Sequence, residues 1–140
     1  NSDNCRGPMA AELLRHEQMK QEYDIGSRGM VALFPEPANQ KAEAIMRSHK
    51  MTLASHEATQ LDQSDLTDET LVLTFSENQK WKIISEYDYV KHVYTINEFV
   101  EDDRVVRSAH GQSLVVYGEN FELLRELVKK LAEKLNEEAK

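Results

Sequence analysis

Asn4-Cys5-Arg6-Gly7-Pro8-Met9 reads as a helix start. A proline with fixed φ at the first helical turn, preceded by small and polar residues, marks a helix N-terminus. That end presents unpaired backbone N–H groups and about half a positive charge. Arg6 adds a planar fork of donors to the same spot. Together, Arg6 and the N–H groups of Gly7 and Met9 form an expected site for a phosphate-like oxyanion. No nucleophile stands in this stretch at the spacing such a site needs.

Working outward, Pro8 to about Gln21 predicts a helix with Met9, Leu13 and Leu14 on one stripe. Tyr23 to Met30 reads as a short strand running into a turn, and Pro35 and Pro37 force extended backbone after Leu33-Phe34. Asn39 is placed to cap a helix from Gln40 to His49 with Ala42, Ile45 and Met46 inward. Met51 to Asp62 is polar and irregular, and Asp65 to Glu69 suggests one acidic helical turn. Leu71-Val72-Leu73-Thr74-Phe75 is the clearest buried strand, continuously apolar as parallel strands are. Ser76 caps the next helix, which carries Glu77, Trp81 and Ile84, and Val93 to Ile96 predicts a small strand. Glu101 to Ser113 is the longest stretch without a pattern, and such loops are usually functional or disordered. The chain ends on an amphipathic helix with Tyr117, Phe121, Leu124, Val128, Leu131 and Leu135 on one face. That stripe suits packing on the domain's own sheet better than a short coiled-coil seam.

Composition narrows the classes of function. The 140 residues suit a single domain over 1–140 with room for a core. A net charge of −8 argues against nucleic acid and against an anionic membrane surface. One cysteine excludes an internal disulfide framework and a cysteine-based zinc cluster. No apolar run reaches membrane-spanning length and no signal sequence opens the chain, so a soluble cytoplasmic protein is expected. Asn1 is not an initiator methionine, which suggests that residues precede it. His49, His56 and His92 lack metal-ligand spacing, and neither a metal nor a cofactor is expected.

Strand-helix alternation predicts an α/β fold with an open parallel sheet, and ligands of such sheets sit beyond the carboxyl ends of the strands. Asn4-Cys5-Arg6-Gly7-Pro8-Met9-Ala10-Ala11-Glu12 resembles the end of the phosphate loop in low-molecular-weight protein tyrosine phosphatases. Later segments are similar to bacterial members in the right order: Gly26-Ser27-Arg28-Gly29, Phe34-Pro35-Glu36-Pro37-Ala38-Asn39, Leu71 to Phe75, Val93-Tyr94-Thr95-Ile96-Asn97-Glu98-Phe99, and Val116-Tyr117-Gly118-Glu119. The resemblance implies a three-layer α/β fold: a four-stranded parallel sheet with helices on both faces. It implies phosphomonoester hydrolysis through a phosphocysteine, with phosphotyrosine or phosphoarginine of a phosphorylated protein as substrate. Arsenate reductases share the scaffold.

The departures fall on the residues that carry the chemistry. The family nucleophile lies six positions before the loop arginine, which from Arg6 is one position before Asn1. The family's first strand precedes that cysteine, so it is missing or replaced here. Cys5 matches only an auxiliary cysteine of some members, and it cannot start a loop of its own because position 11 is Ala11. The family serine that follows the arginine and holds the thiolate is Gly7 here. The family's general acid comes from Asp-Pro-Tyr/Phe-Gly, matched here by Ser108-Ala109-His110-Gly111. Serine does not protonate a leaving group as a carboxylic acid does.

The resemblance places Ser2, Asp3, Asn4, Cys5, Arg6 and Gly7 in a phosphate-binding loop, and Ser108 and His110 in a degenerate general-acid loop. Cys5 beside Arg6 at a helix start is expected to favour thiolate, although single cysteines are usually inert. Arg6 either binds an oxyanion or pairs with a carboxylate. His110 is a replacement acid near neutral pH or a solvated loop histidine. Trp81 is expected in the core, and Glu101-Asp102-Asp103 as a solvated acidic turn or, less simply, a weak cation site.

Two functions follow: a catalytically impaired phosphatase, or a non-catalytic relative that binds an oxyanion or partner protein with a regulatory role. Without the first strand, the strands around Ile25 and Leu73 each expose unpaired backbone groups. The expectation is that a preceding segment, a strand from a second copy of the chain in a homo-oligomer, or direct pairing of those two strands fills the gap.

Overall fold

The computed structural model describes residues 3–139. Its sheet is parallel and has two strands, β1 (Leu71–Thr74) and β2 (His92–Thr95), with Leu71 opposite His92 and Thr74 opposite Thr95. Side chains alternate across a strand. Leu73, together with Phe75 just beyond the strand end, therefore packs into one apolar cluster, while Val72 and Val93 pack into another. The first cluster gathers α1 (Arg6–Arg15), α2 (Gln40–Ser48) and α5 (Leu114–Glu138). The second gathers Leu61, Leu66 and Ile83 of α3 (Glu77–Glu86). This is the expected α/β layering, with helices on both faces of a parallel sheet.

Local chemistry sets the helix starts. The Asn39 side chain accepts from the Lys41 and Ala42 amides at the start of α2, and Ser76 accepts from the Gln79 amide at the start of α3. Thr95 and Glu98 form a reciprocal capping box that starts α4 (Ile96–Val100) directly from β2, so Ile96 is helical rather than part of the strand. α5 buries Tyr117, Phe121, Leu124, Leu127 and Val128 against α1, α2 and α4, as core packing predicts and a coiled-coil seam does not. Each such side chain contributes about 1.5–3 kcal/mol by leaving water.

Several expectations are corrected. α1 ends at Arg15, not near Gln21. Beyond it the chain is tied to α5: the Lys20 amide donates to the Asn136 side chain, which donates in turn to the Gln18 carbonyl. The acidic turn is a 3-10 helix at Gln63–Asp65, earlier than Asp65 to Glu69. Trp81 lies on the surface, 57% exposed, with its indole N–H on Glu77.

The Tyr23–Met30 strand does not form. From Tyr23 to Arg28 half-buried and exposed residues alternate as in a strand, but the segment pairs only through Gly29, which bridges to Gln60. A ladder needs a neighbour. Among the described residues, no strand lies between this segment and β1, nor do the two pair directly. The β1 residues, continuously apolar in sequence, are correspondingly half-buried apart from Thr74.

Candidate oxyanion site

Residues 3–7 lead into α1 beside the carboxyl end of β1, where open parallel sheets place their ligands. Asp3 adopts a left-handed conformation (φ 62°), and Cys5 precedes the helix without a side-chain cap. The Cys5, Arg6 and Gly7 amides make no hydrogen bond among the described residues, whereas the Met9 amide donates to the Cys5 carbonyl. The expected anion donor at Met9 is therefore spent inside the helix, and the available donors lie one turn earlier. The Asn4 carbonyl accepts from the Asn39 amide and the Asn4 side chain donates to Glu36, which fastens the loop to the segment ahead of α2.

Arg6 crosses the site. Its Nη1 donates to the Val106 carbonyl at 2.8 Å, and its guanidinium sits 4.9 Å from the centre of the Phe75 ring. No carboxylate pairs with it among the described residues. Burial pushes its pKa down, opposed by Cys5, but an arginine stays a cation throughout the accessible pH range. Neither Phe75 nor Val106 was legible as a holder of Arg6. Val106 lies 100 residues away in sequence, and only the position of Phe75 just past a strand end hints at its role.

Cys5 departs from the thiolate expectation. Burial pushes its thiol up to about 11 despite the opposing charge of Arg6. Desolvation outweighs the neighbouring cation because the sulfur is packed against the apolar cluster.

Asp3 faces inward. Its side chain is fully buried, and Oδ2 accepts from the Thr59 amide. His56 Nε2 donates to the Asp3 carbonyl at 2.6 Å and lies 3.8 Å from Oδ2. Oδ1 has no hydrogen-bond partner among the described residues. Burial raises the Asp3 pKa, opposed by Ser27, the Thr59 amide, His56 and Arg28. A Cβ at Gly7 would approach Asp3 Oδ1 to 3.0 Å and the Ser27 Cβ to 3.2 Å, so the close approach of Asp3 and Ser27 leaves position 7 room for a glycine. Ser2 lies outside the described residues.

The loop from Glu101 to Ser113 is ordered by its own bonds. Asn97 donates to the Asp102 and Arg104 carbonyls, and Asp102 accepts from Arg104 and Lys130. Asp102 is thus neither a solvated turn residue nor placed for a cation, since two cations already hold it. Val106 and Ala109 are buried, while Arg107, Ser108 and His110 between and beyond them are exposed. Ser108 Oγ accepts from the His110 amide, and Gly111 takes φ 78°, a left-handed turn that favours glycine. The loop that carries Ser108 and His110 is joined to Arg6 through Val106.

Comparison with known proteins agrees with this arrangement. The family model described as low molecular weight phosphotyrosine protein phosphatase matches residues 1–140. The chain is 27% identical to the low molecular weight protein-tyrosine-phosphatase PtpB of Staphylococcus epidermidis over 131 residues, 94% of this chain and 91% of that protein. It is 29% identical to a protein-arginine-phosphatase of Geobacillus stearothermophilus over 138 residues, 97% of this chain and 92% of that one. Among solved structures it resembles the YwlE arginine phosphatase of Geobacillus stearothermophilus, with a TM-score of 0.90 and 28% identity over 99% of this chain and 90% of the other. It also resembles the low molecular weight protein tyrosine phosphatase of T. tengcongensis, with a TM-score of 0.88 and 29% identity over 96% and 95%. A match over the full chain, joined to an arginine poised at the end of a parallel strand, establishes that this protein belongs to the low molecular weight phosphotyrosine protein phosphatase family.

Proposed function

We propose that this chain binds the phosphoryl group of a phosphorylated protein side chain at Arg6, with impaired turnover by the family route. The observation that carries the reading is Arg6 itself: fixed by Val106 and Phe75, beside open amides, and unpaired with any carboxylate among the described residues. Asn4 and Cys5 complete the loop around it. Similarity to tyrosine and arginine phosphatases supports phosphotyrosine or phosphoarginine as the ligand class.

Two residues within the described chain weaken the hydrolytic step. Gly7 offers no hydroxyl to hold a thiolate. Ser108, in the place of the family's acid, is a poor proton donor to a leaving group, and loss of a general acid costs about 10²–10⁴-fold in rate. Cys5, with its thiol pushed up to about 11 by burial, is a poor nucleophile at neutral pH.

The test pairs binding with turnover. Titration calorimetry with inorganic phosphate is expected to show weak binding that Arg6→Met removes. Hydrolysis of p-nitrophenyl phosphate is expected to fall about 10²-fold or more below the catalytic relatives. Equal phosphate binding by Arg6→Met would place the anion elsewhere, and family-like turnover would overturn the impaired reading.

A further inference from the structure

We propose that Arg107 is the second cation of the Arg6 site and gives it a preference for doubly charged phosphate monoesters over singly charged oxyanions; this rests on the oxyanion reading above. The chain is acidic, with 25 Asp and Glu against 17 Lys and Arg. Its arginines are accordingly matched with acids: Arg15 with Glu12, Arg28 with Asp65, Arg47 with Glu43, Arg104 with Asp102 and Glu126, and Arg125 with Glu122. Among the described residues, the two arginines without a carboxylate are Arg6 and Arg107.

These two are neighbours. Arg6 Nη1 bonds the Val106 carbonyl at 2.8 Å, and covalent geometry then puts the Arg107 Cα within about 6 Å of that nitrogen. The Arg107 side chain is therefore long enough to reach a ligand held by Arg6. Its backbone is also fixed. Val106 is 1% exposed, Ala109 is 1% exposed, and the Asn120 side chain donates to the Arg107 carbonyl at 2.8 Å. The Arg107 side chain itself is exposed and has no carboxylate partner among the described residues. Two arginines without a carboxylate partner, on backbones held together by the Arg6–Val106 bond, can both be turned to one anion. A dianion satisfies both groups, whereas a monoanion leaves one over.

Phenyl phosphate and phenyl sulfate are near-isosteric probes that differ by one charge at pH 7.5, and titration calorimetry on the full chain separates them. The unaltered protein is expected to prefer phenyl phosphate. Arg107→Met is expected to lower phenyl phosphate affinity about tenfold, the scale of one charge-assisted contact. It should leave phenyl sulfate within about twofold, and Arg107→Lys should restore part of the preference. Lys82→Met, which removes an exposed charge on α3, controls for net charge and should leave the ratio unchanged. An unchanged ratio in Arg107→Met, or equal losses for both probes, would overturn the proposal while leaving Arg6 as the anion site. If Arg6→Met binds both probes as the unaltered protein does, the oxyanion reading fails instead.

Discussion

Two aspartates, one in each of the loops that meet at Arg6, have side chains largely closed to solvent and meet opposite fates. Asp3 has a fully buried side chain, one oxygen on the Thr59 amide and the other without a partner. Asp102 has a side chain only 6% exposed, but Arg104 and Lys130 both donate to it. Burial lifts the first carboxyl above the ordinary aspartate range. The Arg104 hydrogen bond, followed by that from Lys130, holds the second well below it. Burial alone opposes a charge; burial with aligned donors favours it. The loop from Glu101 to Ser113 is thus stiffened by its acid, while the loop entering α1 carries strain at its own.

The largest effect expected from this contrast comes from Asp3→Asn, which keeps the volume and removes the charge. At pH 7 it should stabilise the fold by about 1–3 kcal/mol, because the amide is neutral and leaves no charge to be desolvated. The sign follows from linkage. A folded-state pKa raised above the unfolded value means that the native protein holds the proton longer. Stability therefore falls as pH rises from the ordinary aspartate range through the raised value. Thermal melts between pH 4 and 8 should show that decline in the unaltered protein and its loss in Asp3→Asn. A destabilised Asp3→Asn with the decline intact would break the comparison.

A smaller change of opposite sign is expected at the other loop. Asp102→Asn should destabilise by about 1 kcal/mol at pH 7, because Arg104 and Lys130 are half exposed and solvent screens them. Here the folded pKa is depressed, so the contribution is complete above the ordinary aspartate range, begins to fall within it, and is lost only as pH drops through the much lower folded value. Denaturant melts should show a smaller difference at pH 3 than at pH 7. A difference of the same size at both pH values would assign the effect to packing rather than charge.

The smallest effect sharpens the account of the α1 loop. With the Cys5 thiol near 11, only of order one thiol in a few thousand is ionised at pH 7.5. Iodoacetamide labelling followed by mass spectrometry should be slow at that pH and accelerate as pH rises toward 10. Fast labelling at pH 7.5 would mean that Arg6 outweighs burial.

What the sequence determined by itself is local. Asn39 and Ser76 offered cap oxygens within three residues of the amides they satisfy, so α2 and α3 start where expected. The period of Tyr117, Phe121, Leu124 and Val128 fixed the buried face of α5, and the Arg6-Gly7-Pro8-Met9 stretch marked both the family and the helix. Tertiary structure decided whatever depended on a distant neighbour. Tyr23 to Arg28 has the alternation of a strand and lacks a ladder, because hydrogen bonds to a second strand are a property of the pair. Trp81 has the pattern of a core residue and lies in solvent because no element covers that face of α3 among the described residues. The protonation of Cys5 and Asp3 was beyond sequence for the same reason. The charge of Arg6 acts on Cys5 from the next position, but desolvation sums over every atom packed around the group, and those atoms come from the whole chain.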